Sequence, residues 1–338
     1  TGTGKTTLVE ALLYMGGVIS NQGKVESKNT VSDFTEPEKE RGMSLHSSVM
    51  YIESEGVKVN IIDTPGMIDL VGDVRAALRV VEGAIVLIDA ENGMEIGTER
   101  IWNYANEYQI PRLVFVNKMD REKANFYKVV SDLEKRFSPN VVPIELPIGE
   151  GEDFRGVVDL IRMQAVYPKE GGSKIKIEEI PENMKEKAHE YRQQLAEAVA
   201  ESDERLIEKF LEEKPLTQEE VQIGLLETVK QFKLIPVACG SALKDIGIVT
   251  LLRMIVHESP APTYKNSVMG IVPNRRDDII ERRASRDEPF AAFVFKTTRD
   301  QYSGTMSYLR VRSGVLRKDS EVYNPALNIK EKVNGNEK

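Results

Sequence analysis

Four short segments of the chain carry residues whose types and spacing suit a phosphate-bearing nucleotide. The chain opens Thr1-Gly2-Thr3-Gly4-Lys5-Thr6-Thr7. Gly4-Lys5-Thr6 reads as the end of a G-x-x-x-x-G-K-[ST] loop whose first glycine would precede Thr1. In such a loop the backbone N–H groups from Gly2 to Thr7 and a helix N-terminus converge on an anion. Lys5 adds a cation at the β- and γ-phosphates, and Thr6 offers a hydroxyl to Mg²⁺. A plain glycine-rich turn is the other reading of so short a triplet. Asp63-Thr64-Pro65-Gly66 follows an apolar run. A carboxylate at a strand end can hold Mg²⁺ through water, and Gly66 has no side chain to keep its N–H from a γ-phosphate. The same four residues also suit a type I or II turn. Asn117-Lys118-Met119-Asp120 closes another apolar run. There the Asp120 carboxylate can accept from the N1–H and N2–H₂ edge of guanine, a donor pair that adenine lacks. Asn117 can tie base to loop, and the Lys118 stem can cover the base face. In Gly240-Ser241-Ala242, small residues after a strand let a backbone N–H reach the guanine O6.

These groups act together only if strands and helices deliver them to one edge. Residues 5–15 read as a helix with Leu8, Leu12 and Met15 on one face. A polar stretch over 20–40 shows no period. Strand patterns at 45–52 and 57–62, split by Glu53-Ser54-Glu55-Gly56, predict a hairpin. Continuous apolar runs at 84–88, 113–116 and 234–238 predict buried parallel strands. Helices are expected at 94–108, 124–136 and 247–257. The four segments each fall after a strand or before a helix, in the order of nucleotide-contacting loops. The expected fold is α/β, with a mixed, mostly parallel sheet. Asp120 disfavours an unrelated P-loop ATPase.

The chain has 338 residues and a formal net charge of −8. Residues 178–220 hold 14 acidic and 6 basic residues, an excess equal to that whole charge. Leu195, Val199, Leu206, Phe210 and Leu211 recur there at helical spacing, predicting an amphipathic acidic insertion. It reads either as a docking surface or as a solvated helix face. An acidic balance argues against DNA. The basic run Arg275, Arg276, Arg282, Arg283 and Arg286 suits RNA phosphate, but Asp277, Asp278 and Glu281 interrupt it, which favours a solvated linker. Ser259-Pro260-Ala261-Pro262 opens that linker, and short β runs from Pro289, spaced by glycines, predict the start of a barrel. The lone cysteine, Cys239, allows no internal disulfide or Cys cluster and fits a reducing cytoplasm; three scattered histidines speak against a His-based metal site. No apolar run is long enough for a membrane span. A sequence that opens inside a motif reads as a piece of a longer protein.

With these motifs in view, the sequence resembles the translational GTPases, and within them the elongation factor G family. The resemblance rests on Gly2-Thr3-Gly4-Lys5-Thr6-Thr7-Leu8, Glu40-Arg41-Gly42-Met43-Ser44, Asp63-Thr64-Pro65-Gly66 and Phe115-Val116-Asn117-Lys118-Met119-Asp120-Arg121. It continues through Ala124-Asn125-Phe126, Pro147-Ile148-Gly149, Gly156-Val157-Val158-Asp159-Leu160, Cys239-Gly240-Ser241-Ala242 and Pro289-Phe290-Ala291-Ala292. It implies a G domain over 1–258 with an inserted acidic subdomain at about 158–233, a linker over 259–288, and the start of β-barrel domain II over 289–338. It implies a GTPase using GTP, GDP and Mg²⁺, with Lys5 and Thr6 on phosphate and metal. It implies a cytoplasmic protein, expected as a monomer, that meets the ribosome through stalk proteins at the insertion and through ribosomal RNA. Ser44 stands where the family's switch I carries a threonine ligand to Mg²⁺, and keeps the hydroxyl. Met67 is the departure: the family has histidine there to orient the attacking water. A thioether is a weak acceptor and donates nothing, so intact GTP binding with slow hydrolysis is expected. His46 is a conceivable substitute, read chiefly as a strand residue. A true translocase, a paralogue using GTP as a switch, and a nucleotide-stabilised docking module are the three expectations.

Overall fold

The computed structural model describes residues 2–138, 140–169, 174–273, 275–300 and 304–333. Thr1 of the opening motif, and the side chains of Arg276 and Asp277 in the basic run, lie outside the described residues. The chain forms two compact units, Thr1–Pro260 and Ala261–Lys338.

The first unit runs α1 (Lys5–Met15), α2 (Glu36–Arg41), β1 (Ser48–Ser54), β2 (Val57–Asp63), α3 (Val71–Leu78), β3 (Ala84–Asp89), α4 (Ile96–Glu107), β4 (Arg112–Asn117), α5 (Phe126–Arg136) and β5 (Val141–Pro143). Next come β6 (Glu145–Ile148), β7 (Gly156–Asp159), β8 (Gln164–Pro168), β9 (Ile175–Glu178), α6 (Glu182–Ala200), α7 (Glu204–Leu211) and α8 (Gln218–Lys230). It closes with β10 (Ile235–Cys239) and α9 (Ile248–His257).

The central sheet has the order β3–β4–β10–β5, all parallel. Every residue of β4 is buried, as a parallel strand covered on both faces requires. Leu8, Leu12 and Leu13 of α1 and Phe126 and Leu133 of α5 complete the core around Val114, Phe115 and Val116. Truncating the fully buried Phe115 to Ala would cost roughly 3–5 kcal/mol. The only tryptophan, Trp102 on α4, stacks on Phe137 with ring centroids 4.0 Å apart, and the Arg112 guanidinium lies 4.7 Å above its ring.

β1 and β2 form a separate antiparallel hairpin. Glu55 and Gly56, both at positive φ, join paired Ser54 and Val57, the pattern of a type I′ turn. β1 starts later than the apolar pattern predicts, so His46 sits in a bend before the strand rather than in it. The polar 20–40 stretch also contains the start of α2, which its charges disguised.

Asp63, Asp89, Asn117 and Cys239 end β2, β3, β4 and β10. In the parallel sheet, Asp89 pairs with Asn117 and Cys239 with Val116, so these carboxyl ends share one edge, where ligands of such sheets sit.

The inserted part is an antiparallel sheet, β6–β7–β8–β9, with α6 packed on α7 and α8. It begins at Glu145, upstream of the expected boundary near 158. Leu195 and Val199 are buried, while Leu211 is exposed. Arg192 on α6 donates to the carbonyls of Leu160, Ile161 and Leu216, tying helix, sheet and the loop before α8. The fully buried Glu145 accepts the Cys239 N–H at 3.1 Å, linking the insertion's first strand to β10. Burial pushes its carboxyl up to about 8, with the Asp159 charge adding to the rise, against the Thr250 hydroxyl, the Cys239 N–H and Arg162.

The second unit holds β11 (Ser267–Val272), β12 (Arg275–Arg283), β13 (Ala291–Asp300), β14 (Gly304–Ser313), β15 (Glu321–Asn324) and β16 (Ile329–Lys332), paired as three antiparallel hairpins. The stretch 259–288 is therefore not a plain linker. The charges of β12 hide its strand, whose backbone pairs with the more apolar β11.

Candidate functional site

Gly4 precedes α1 with φ 91°, in the left-handed region, and a Cβ there would stand 2.6 Å from Asn117 Nδ2. Backbone angle and close approach both require glycine. The buried Asn117 amide explains the crowding. Its Nδ2 donates to the Thr3 carbonyl at 2.9 Å, and its Oδ1 accepts the Ala242 N–H at 3.0 Å. One side chain thus joins the first, third and fourth motifs. Lys118 adds a second tie: its Nζ donates to the Gly2 carbonyl at 2.6 Å and to Asp89 Oδ2 at 2.7 Å. Asp89 also accepts the N–H groups of Glu91 and Asn92. Burial acts to raise the Asp89 carboxyl, but the Lys118 bond and the two N–H groups outweigh it and hold the group below its ordinary value.

A second set gathers at the other end of the loop. Thr6 Oγ1 donates to Asp63 Oδ2 at 3.0 Å and lies 3.2 Å from Ser44 Oγ. Asp33 is buried against the Ser44 hydroxyl and the Asp63 charge, and among the described residues neither of its oxygens makes a well-formed hydrogen bond. Burial raises both carboxyls; on Asp63 it prevails over the Thr6 and Ser32 hydroxyls and Lys5. Burial lowers the Lys5 ammonium, against the charges of Asp63 and Glu95. Two carboxylates and two hydroxyls, Asp33 buried among them, form a hard oxygen donor set that fits Mg²⁺.

Thr7 lies half-buried in the first turn of α1, and Gly66 half-buried beyond β2. Met67 starts a short 3-10 turn, Ile68–Leu70, and Asp120 is half-buried after β4. Among the described residues, no hydrogen bond ties Met67 or the Asp120 carboxylate to either set. Ser241 and Ala242 are buried after β10, beside Asn117. The Ser241 N–H donates to the Ile246 carbonyl at 2.9 Å and the Ala242 N–H to Asn117. In this structure both N–H groups are engaged within the protein.

Sequence reasoning missed four carboxylates. Asp89 ends a buried strand as Asp63 does, so the same logic finds it. Glu38 stands three residues after Thr35, the spacing of a capping box. Glu10, buried on α1, accepts the N–H groups of Gly23 and Val31; it and Asp33 carry no pattern that marks them.

A parallel α/β sheet with a glycine loop feeding a helix, a hard-oxygen pocket beside it, and an asparagine-lysine loop clamped onto it define a nucleotide-binding domain of the P-loop class. Over residues 1–261 the sequence matches the elongation factor Tu GTP binding domain family, and the chain belongs to that family of translational GTPases. The fold also matches the crystal structure of a protein from Thermus thermophilus with a TM-score of 0.84. The two are 32% identical, over 98% of this chain and 46% of that one, so the chain spans just under half of that protein's length. Among the described residues, no helix is long and apolar enough to cross a membrane.

Proposed function

We propose that this chain is the GTP-binding part of an elongation factor G-like translation factor, which couples GTP binding and hydrolysis to movement on the ribosome. The observation that carries this reading is the insertion. A four-stranded antiparallel sheet and three helices stand between β5 and β10, with β hairpins following the domain. In this reading Lys5 and the N–H groups of Gly2 to Thr7 cradle the phosphates, and Asp120 accepts the guanine edge. Thr6, Ser44 and Asp63, the last through water, with Asp33 beside them, would hold Mg²⁺, which when bound neutralises charge on the β- and γ-phosphates. The acidic insertion docks stalk proteins, the protein is a cytoplasmic monomer, and 1–258, 259–288 and 289–338 are the functional segments despite the hairpin inside the second.

Met67 favours a second reading, a paralogue that holds GTP as a switch in recycling, rescue or protection of ribosomes. Met67 brings no donor to the attacking water. The test is GTP turnover by the full-length natural protein, with and without ribosomes, beside Met67→His. Strong ribosome stimulation that the histidine does not raise supports the translocase. Weak turnover that the histidine restores supports the switch. Stalk-protein binding unaffected by GDP, GTP analogue or no nucleotide would instead support a passive docking module.

A further inference from the structure

Three successive backbone N–H groups directly after Ser44 end on carboxylates. Glu38 Oε1 accepts from Leu45 at 3.1 Å and from His46 at 3.2 Å. Asp73 Oδ2 accepts from Ser47 at 2.9 Å and lies 3.7 Å from His46 Nδ1. The other Glu38 oxygen takes the Thr35 hydroxyl at 2.6 Å and the Thr35 N–H at 3.2 Å. Glu38 is almost wholly buried, at 1% exposure, so it is built into the loop rather than resting on it. One carboxylate therefore closes the segment 35–46 on itself. The other belongs to α3, the helix that follows the Asp63–Met67 loop. Between them the Ser44 hydroxyl is delivered to Thr6.

We infer that Glu38 and Asp73 are positioning residues for Ser44, and that Asp73 couples the Ser44 loop to the helix after Asp63-Thr64-Pro65-Gly66. The inference rests on the nucleotide-site reading above. Glu38 fixes the loop's internal shape, and Asp73 sets where that shape sits relative to α3. Ser44 then meets Thr6, which in turn holds Asp63, without a search through loop conformations, which is preorganisation of a metal-facing hydroxyl. Such a device acts on the nucleotide state that needs Ser44, and leaves binding through the Gly2–Thr7 loop alone.

The test compares affinities for a non-hydrolysable GTP analogue and for GDP, both with Mg²⁺, in the chain and in Glu38→Gln, Asp73→Asn and Ser44→Ala. Losing a charge-assisted hydrogen bond set is expected to lower the analogue-to-GDP affinity ratio by about tenfold in each carboxylate variant. Combined with Ser44→Ala, either variant should lower the ratio no further, because the residue it positions is already gone. A ratio within about twofold of the parent overturns the inference. So does a parallel loss of both affinities and of melting temperature with the ratio kept, which is the mark of a purely structural role. A parent chain that binds neither nucleotide overturns the functional reading itself, and the inference with it.

Discussion

Replacing Lys118 by alanine removes the tie between the opening loop and the end of β3. The Lys118 side chain is 21% exposed and that of Asp89 only 3%. A charge-assisted bond in this setting contributes about 1.5–3 kcal/mol. Leaving a buried carboxylate without its cation costs roughly 3–5 kcal/mol. Asp89 keeps the N–H groups of Glu91 and Asn92, which soften the second figure, so a loss near ~3 kcal/mol is expected. Asp89→Asn in the Lys118→Ala background retains an oxygen for those N–H groups and removes the stranded charge, so it should recover at least about 1 kcal/mol. The assay is a double-mutant cycle by urea unfolding, followed by circular dichroism. Acid behaviour gives an independent sign. The Asp89 carboxyl lies below its ordinary value, so its contribution is present above that value and lost as pH falls through the folded-state one. In Lys118→Ala that loss should begin at higher pH. If the two single losses simply add to within about 0.5 kcal/mol, the pair is not coupled and the reasoning fails.

Glu145 titrates near 8 in the folded chain against an ordinary 4.5, so the folded state keeps a proton that the unfolded state releases. Stability should therefore fall as pH rises, by roughly 3 kcal/mol between about pH 5 and 7, and urea midpoints of Glu145→Gln should lack that slope. Gly4→Ala places a methyl against Asn117 at a left-handed angle; a cost of about 1–2 kcal/mol in stability and a clear loss of GDP affinity by titration calorimetry are expected. Asp120→Asn should turn preference from guanine towards xanthine nucleotides in competition binding, and unchanged guanine preference would show the base is placed wrongly.

Three of the four parallel strands were legible because they must be buried on both faces; β5, only three residues long, was not. Val114, Phe115 and Val116 leave no polar position to confuse the pattern. The loops at their ends stood out by their residue types, and the structure brings Gly4, Asn117 and Ala242 together. Less was visible where one side chain serves a distant backbone. Nothing local distinguishes Asp33 or Glu10 from solvated acids, since their burial depends on a loop folding back over α1. The β12 strand was hidden for the opposite reason. Its regularity comes from pairing with β11, which the run Arg275–Arg283 does not announce.

The stack of Trp102 on Phe137 beneath Arg112 gives the molecule a built-in optical gauge of one unit only. It is the chain's sole indole, and it sits between α4, α5 and β4, with none in Ala261–Lys338. Its emission will redden when the nucleotide-binding core opens and stay dark to events confined to the hairpins. A fluorescence melting curve that parts company with one from circular dichroism would therefore mark two units melting separately, and their coincidence would mark a single cooperative transition.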